Sequence, residues 1–323
     1  MASQATSSEQ PAVNDIDPNG DVVMVVGPDK HEMRVSSNSL QLASKVFRAM
    51  LGPNWSEGQG LSKESPPKVT LEEDDAETMR TIFCILHFRN DMVPNELAPE
   101  KVLDIAIECD KYDMTSALRY TSAMWLQCSP YLTFSEAGFI LTASFLFDND
   151  ERFKICSRRL VLYYQQSYLD LLRHDKIGHF LPFKAIYLLE QQRNHPRIAL
   201  HNIINAAIKE CCTIVASGKS CDWGKQRKDG YINFLSWYTA FKIHNMTVRQ
   251  FMDKLRHVAD DRDLVKMTVC LTSNSYHQLS GDQTYDKKAD AIVKAAGLCL
   301  SCMQQDGSCS SHMSVMKYGG LEK

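Results

Sequence analysis

The residues best suited to chemistry are thiols and an imidazole near the end of the chain. Cys299 and Cys302 are separated by two residues, and after six more residues Cys309 and His312 repeat that spacing. Two such close pairs suit a tetrahedral zinc ion, because a short loop lets two soft ligands reach one metal. The zinc would be structural, since protein fills all four positions. The alternative is that these are buried apolar thiols or belong to a disordered tail.

Motifs for catalysis fail when their spacing is checked. Ser217-Gly218-Lys219-Ser220 ends like a phosphate-binding loop, but Thr213 stands where the first glycine of that motif must be. The sequence has no G-x-S-x-G elbow and no H-E-x-x-H pair. We therefore expect no enzymatic activity.

Composition limits the classes of partner. The chain has 323 residues, of which 44% are hydrophobic, and a formal net charge of −3. This balance supplies no basic field for nucleic acid or an anionic membrane, and no apolar run is long enough to span a membrane. The 11 cysteines accompany no secretory signal, so we expect reduced thiols in an intracellular protein, cytoplasmic or nuclear.

Strand-like and helix-like patterns alternate in the first third of the chain. Residues 21–26 and 31–35 are β-runs separated by a turn with Gly27 and Pro28, which predicts an antiparallel pair. A third β-run covers residues 69–71, and amphipathic helices surround it. The predicted fold class is α+β. The apolar positions expected to share one core are Leu40, Phe47, Leu86 and Ile105.

Two capping boxes mark predicted helix starts. Asp74 is expected to accept backbone N–H groups of the helix that follows it, with Glu77 reaching back. Thr133 and Glu136 form the same pattern before a second apolar run. Further helices are predicted for residues 151–164, 183–193 and 196–212, the last two separated by His195-Pro196.

Four segments, in order, carry a resemblance to a known family. They are GDVVMVVG, HEMRVSSNSLQLASKVFRAMLGP, VLDIAIECDKYDM and ALRYTSAMWL. Together they resemble the BTB/POZ domain, and SKESPP (62–67) with HFRND (87–91) resembles fungal stand-alone BTB proteins. BTB domains are docking modules, so the resemblance implies a protein-binding adaptor or scaffold, with a homo-oligomer as one of its forms.

One polar loop carries an aromatic residue that the resemblance makes interesting. Trp55-Ser56-Glu57 lies between glycines, and an aromatic in such a loop is either a lid over the core or an anchor for a partner. BTB adaptors that recruit cullin ubiquitin ligases carry a hydrophobic-x-Glu element. The resemblance therefore implies Trp55 and Glu57 as partner-binding residues, with a cullin as the partner.

The predicted organisation has four parts, and two alternatives to a general adaptor remain. The alternatives are a substrate adaptor of a cullin-based ubiquitin ligase and a zinc-dependent nuclear or transcription-associated factor. The second would need a DNA-binding region, and the sequence has no basic helix suited to one. The four parts are a disordered tail (1–16), a BTB/POZ domain (17–127), an α-helical extension (128–265) and a Cys-rich C-terminal region (266–323).

Overall fold

The computed structural model describes residues 14–216, 229, 246–259 and 282–304. The chain divides into two compact units, Met1–Arg152 and Phe153–Lys323. The first unit combines a small sheet with helices, and the described part of the second is helical, so the predicted α+β class is confirmed. Among the described helices, none combines the length and the apolar character needed to cross a membrane.

The sheet of the first unit has the strand order β1-β3-β2-β4. Strand β2 is an inner strand, which pairs antiparallel with β3 and parallel with β4, and it is buried along its whole length. The predicted antiparallel pair is confirmed, with Met24 opposite Met33. The strands are β1 (Asn14–Asp15), β2 (Val22–Val26), β3 (His31–Val35) and β4 (Lys68–Leu71).

Six α-helices accompany this sheet in the described part of the first unit. Ser44 separates the first two by accepting a hydrogen bond from the Phe47 N–H at 2.9 Å, which begins a new helix. The capping box of Thr133 and Glu136 is present as predicted. The helices are α1 (Ser37–Ala43), α2 (Lys45–Met50), α3 (Ala76–Leu86), α4 (Pro99–Lys111), α5 (Arg119–Trp125) and α6 (Phe134–Leu146).

Three of the four predicted core positions are confirmed as buried, and the fourth is not. Leu40, Phe47 and Ile105 are buried, because each lies on the inward stripe of its helix. Leu86 is only half-buried, at the last residue of α3. The structure also extends the ordered region toward the N-terminus. The predicted disordered tail (1–16) is too long at its C-terminal end, because β1 pairs parallel with β3 and Ile16 is buried.

The second unit is built from helices in its described residues. One of them corrects a prediction, because α9 continues through Pro196, where two separate helices were expected. Leu189 and Leu200, on either side of the proline, are both buried, so packing offsets the backbone hydrogen bond that the proline lacks. The helices are α7 (Asp150–Tyr163), α8 (Asp175–Phe180), α9 (Phe183–Ala216), α10 (Val248–Ala259), α11 (Asp282–Ala295) and α12 (Leu300–Gln304).

A buried guanidinium fixes α9 against the turn that follows α7. Arg193 is 7% exposed and donates to the backbone carbonyl oxygens of Gln165, at 3.3 Å, and Gln166, at 2.7 Å. It also pairs with Glu190 and lies 4.4 Å above the ring of the buried Tyr168. One side chain therefore satisfies two carbonyl groups that no helix or strand uses.

The segment between α11 and α12 packs on α7. Arg158 donates from Nε to the Ala296 carbonyl at 3.0 Å, and the Leu298 N–H donates to the Ser157 hydroxyl at 2.8 Å. Gly297 has φ +115°, and a Cβ there would lie 2.9 Å from the Lys154 carbonyl oxygen. Only glycine fits this approach without strain.

Candidate functional site

The loop after α2 is closed on itself by backbone hydrogen bonds. The Trp55 N–H donates to the Gly52 carbonyl at 3.3 Å, and the Gly58 N–H donates to the Trp55 carbonyl at 3.1 Å. A Cβ on Gly58 would lie only 2.0 Å from the Gly52 oxygen, so a glycine is required where the two ends of the loop meet. The sequence thus builds a tight loop, with its backbone groups paired internally, directly after a core helix.

This loop presents an apolar side chain and a charged one. Trp55 is 59% exposed, which excludes its role as a lid over the core. Glu57 lies in a short 3₁₀ turn, Ser56–Gly58, and is half-buried. Hydrogen bonds from its own backbone N–H and then from the Ser56 hydroxyl lower the pKa of its carboxyl. At neutral pH the loop therefore carries an exposed indole beside a carboxylate.

The carboxylate of Asp74 is buried and has a different role from the one that the sequence predicted. The helix cap of α3 is Asp75, which accepts from the Thr78 N–H at 2.9 Å, and not Asp74 as predicted. Asp74 is 2% exposed and accepts hydrogen bonds from Lys111 and, at 2.5 Å, from the Tyr112 hydroxyl. The prediction is wrong because either of two adjacent acids can serve as an N-cap. Lys111 at the end of α4 and Tyr112 directly after it supply the donors that hold Asp74.

Tyr112 connects this carboxylate to the helix that precedes the loop. Its ring stacks on Phe47 with the centroids 4.7 Å apart, and its carbonyl oxygen accepts from the Ser44 hydroxyl at 2.5 Å. Burial, followed by the hydrogen bond to Asp74, raises the pKa of the Tyr112 hydroxyl, so it stays a donor. The beginning of α2 is therefore fixed from two sides, by an aromatic stack and by a hydroxyl.

A second carboxyl group lies beside Asp74. Glu108, on α4 and one turn before Lys111, has a buried Oε2 with no hydrogen-bond partner among the described residues. Burial, and then the negative charge of Asp74, raise the pKa of Glu108 to about 7, while Lys111 opposes the shift. The two acids and the ammonium form a polar cluster inside the first unit, and the net charge of this cluster depends on pH.

The four residues predicted to bind zinc are only partly described. Cys299 immediately precedes α12 and Cys302 lies within it, and both are half-buried. Cys309 and His312 lie outside the described residues. Within residues 14–216, 229, 246–259 and 282–304, no three His, Cys, Asp or Glu side chains come together as a metal site. The zinc site stays a prediction.

Exposed apolar side chains that sequence patterns did not single out occur elsewhere in the first unit. Phe88, two residues after the end of α3, is 86% exposed and has φ +59°. Tyr120 and Met124 are both exposed and lie one turn apart on α5. A signal for this pair existed, because α5 carries only one charged residue, Arg119, and so cannot have a charged outer face.

Comparison with known proteins leaves the family open. No family model matches the chain, and no curated protein matches it. The resemblance of residues 17–127 to the BTB/POZ domain thus stays a prediction from sequence. Function must be inferred from the side chains that the first unit exposes and from those that hold its loops.

Proposed function

We propose that the first unit is a protein-docking module of the BTB/POZ type and that the chain acts as an adaptor or scaffold. The observation that carries the proposal is Trp55, a large apolar side chain held exposed on a loop closed by its own backbone. A partner that buries this indole orders little new chain, so a large part of the contact energy is available for binding. The order of elements in the first unit, an antiparallel strand pair, two short helices, a third strand and further helices, supports the proposal.

A second candidate function is substrate adaptor of a cullin-based ubiquitin ligase. The observation in its favour is that Trp55 and Glu57 lie on the same closed loop, with the carboxyl group of Glu57 ionised. In such an interface the indole would fill an apolar pocket of the cullin, and the carboxylate would line the polar rim of that pocket. The aromatic anchor would then supply most of the affinity, and the carboxylate would mainly raise the association rate.

The docking proposal is tested by affinity purification of the full chain followed by mass spectrometry. Trp55→Ala should remove partners that the wild-type chain retains, because truncating an anchor costs about 2 kcal/mol or more of binding energy, roughly thirtyfold in affinity. Phe183→Ala is the matched control, since Phe183 is 64% exposed but lies in the second unit. Partners retained equally by both variants and the wild type would contradict Trp55 as the anchor.

The cullin alternative is tested by titrating the full chain against a cullin N-terminal fragment. Wild type should bind, Trp55→Ala should bind at least thirtyfold more weakly, and Glu57→Ala should be affected less. A melting curve accompanies each variant, and we expect both within about 0.5 kcal/mol of wild type, since neither side chain belongs to the core. Absence of wild-type binding at high micromolar concentration would exclude the cullin while leaving docking to other proteins open.

A further inference from the structure

Two serines of the chain are followed directly by proline, and only one of them also has a basic residue three positions later. Residues 65–68 read SPPK, whereas residues 129–132 read SPYL and have a leucine in place of the base. Proline-directed protein kinases recognise a serine with proline next to it, and some of them also select a base at the third position. The proline matters because it has no backbone N–H, so it alone fits a kinase pocket that provides no acceptor at that position.

The structure leaves the hydroxyl group of Ser65 accessible. Ser65 is exposed and lies in the segment 61–67, which contains no helix or strand. Its backbone N–H donates to the Ser62 hydroxyl at 3.4 Å, and its own hydroxyl has no hydrogen-bond partner among the described residues. The neighbouring hydroxyl of Ser62 is engaged, because it donates to the Glu64 carboxylate at 2.8 Å. Of these two serines, Ser65 therefore has the oxygen that a second protein can reach.

The segment that carries Ser65 is fixed at both ends. On one side Arg34 donates to the Lys63 carbonyl at 2.7 Å. On the other side the Pro67 carbonyl accepts from the Val23 N–H at 2.9 Å, directly before β4 begins. The three residues between these contacts include the serine. The sheet therefore sets the position of the serine, while the serine itself stays outside the sheet.

The backbone around Ser65 is extended. Ser65 and Pro66 each precede a proline, and a proline ring disfavours the helical conformation of the residue before it. Lys68 continues the chain as the first residue of β4, which lies at an edge of the described sheet and pairs there with β2. The serine, the proline and the lysine thus follow each other along an extended chain, so one kinase cleft can contact all three.

The lysine of this motif is available to a new partner. The side chain of Lys68 is 60% exposed and forms an ion pair with Glu32. A surface ion pair of this kind contributes little stability, so an acidic group of a kinase can take the place of Glu32. Residues 62–68 also include Lys63 and Glu64, and with two bases and one acid the formal charge of this segment is positive.

We propose that Ser65 is a phosphorylation site for a proline-directed protein kinase that selects a base three positions after the serine. In the reaction the Ser65 oxygen attacks the γ-phosphorus of ATP, the bond from that phosphorus to the bridging β–γ oxygen breaks, and ADP leaves. The hydroxyl proton passes to the catalytic carboxylate of the kinase. The phosphate carries a charge of about −1.5 to −2 at neutral pH, which makes residues 62–68 negative. The inference does not depend on the docking proposal.

The test incubates the folded full chain with a purified cyclin-dependent kinase and ATP, and locates the phosphate by mass spectrometry. Wild type should be phosphorylated at Ser65, and Ser65→Ala should lose this incorporation. Ser129→Ala is the matched control, because it removes the other serine that precedes a proline and should keep wild-type incorporation. An unmodified wild-type chain, or equal incorporation in wild type and Ser65→Ala, would overturn the proposal.

Substitution of the lysine tests whether the kinase recognises this motif. Lys68→Ala should lower kcat/KM roughly tenfold, about the value of one hydrogen bond to a charged group, and Lys68→Arg should restore most of it. Lys63→Ala removes the same charge from an exposed residue on the other side of Ser65 and should change kcat/KM less than about twofold. Equal losses in Lys63→Ala and Lys68→Ala would contradict recognition of a base at the third position.

A synthetic peptide of residues 60–72 shows whether the fold presents the serine to the kinase. We expect the folded chain to be phosphorylated at least as fast as the peptide at equal concentration, because the sheet already holds the segment extended. Phosphorylation of the peptide without phosphorylation of the folded chain would mean that the fold hides Ser65, and the proposal would be wrong.

Discussion

Among the described residues, the buried charged side chain of the first unit is a carboxylate, Asp74, and that of the second unit is a guanidinium, Arg193. In the first unit the carboxylate of Asp74 receives a hydroxyl and an ammonium from α4, with Glu108 beside it. In the second unit the guanidinium of Arg193 donates to the carbonyls of the turn after α7, and Arg158 does the same for the segment after α11. Both solutions pair buried polar groups that would otherwise be costly.

This difference implies that the units respond differently to pH. A carboxyl group whose pKa lies near 7 changes its charge close to neutral pH, whereas a guanidinium does not lose its proton. The buried polar cluster of the first unit includes Glu108, whose pKa is raised to about 7, and the buried charge in the described part of the second unit is the guanidinium of Arg193. We therefore expect the first unit to be the pH-sensitive part of the molecule, and the second to keep its stability across neutral pH.

The largest expected effect comes from the core of the first unit. Phe47→Ala removes a fully buried ring that stacks on Tyr112, and we expect a loss of about 3–5 kcal/mol in unfolding free energy. Leu42→Ala, on the neighbouring helix but 72% exposed, should cost less than about 0.5 kcal/mol. Hydrogen exchange along a urea gradient measures each unit in the full chain. Equal losses in the two variants would show that Phe47 is not the anchor of this core.

Arg193→Ala should cause the corresponding loss in the second unit. It leaves two carbonyls unpaired and removes the cation above Tyr168, so we expect a loss of about 3 kcal/mol. Arg173→Ala is the control, because Arg173 is exposed and, among the described residues, forms an ion pair with Asp170 alone. The same exchange experiment should show the loss in α7 and α9. If Arg173→Ala costs as much, burial of the guanidinium is not the cause.

The smallest of these effects is the pH dependence caused by Glu108. The folded first unit holds this proton more tightly than the unfolded chain, whose carboxyl has a pKa near 4.5. The stability it contributes is complete below pH 4.5 and is lost as the pH rises through about 7. Because the side chain is only half-buried, we expect a loss of about 1–2 kcal/mol after allowance for solvent screening.

Glu108→Gln tests this dependence, because the amide cannot titrate. The difference in unfolding free energy between this variant and wild type should increase from pH 5 to pH 8, in favour of the variant, in the first unit alone. Glu96→Gln, an exposed substitution, should show no such trend. A difference that does not change with pH, or one that appears equally in α9, would remove the distinction between the units.

Local chemistry made several features of the fold predictable. The strand pair around Gly27 and the capping box of Thr133 and Glu136 involve neighbours in sequence, so their patterns determine them directly. The exposure of Trp55 was one of two outcomes that the sequence left open. The sequence does not decide between them, because a polar loop can fold either over a core or away from it.

Other features depended on contacts that no local pattern contains. A proline such as Pro196 lacks the backbone N–H of a helix interior, so its local pattern predicts a helix end. The helix α9 continues past it, with Leu189 and Leu200 buried on either side. His87 and Ser36 are separated by 51 positions, so their hydrogen bond could not be inferred from either segment. Asp75 and not Asp74 caps α3, because Lys111 and Tyr112 bind the carboxylate of Asp74. Both donors lie more than 30 positions from Asp74 in the sequence.

The sequence by itself determined β2, β3, β4, most helices of the first unit and the inward faces of those helices, because hydrophobic period and capping chemistry act over a few residues. Tertiary structure alone decided which carboxylate is buried, which imidazole bridges two helices and which aromatic faces solvent. Those outcomes depend on donors and apolar surfaces that come together from distant parts of the chain. The protonation and the exposure of a side chain are set more by its neighbours in space than by its neighbours in sequence.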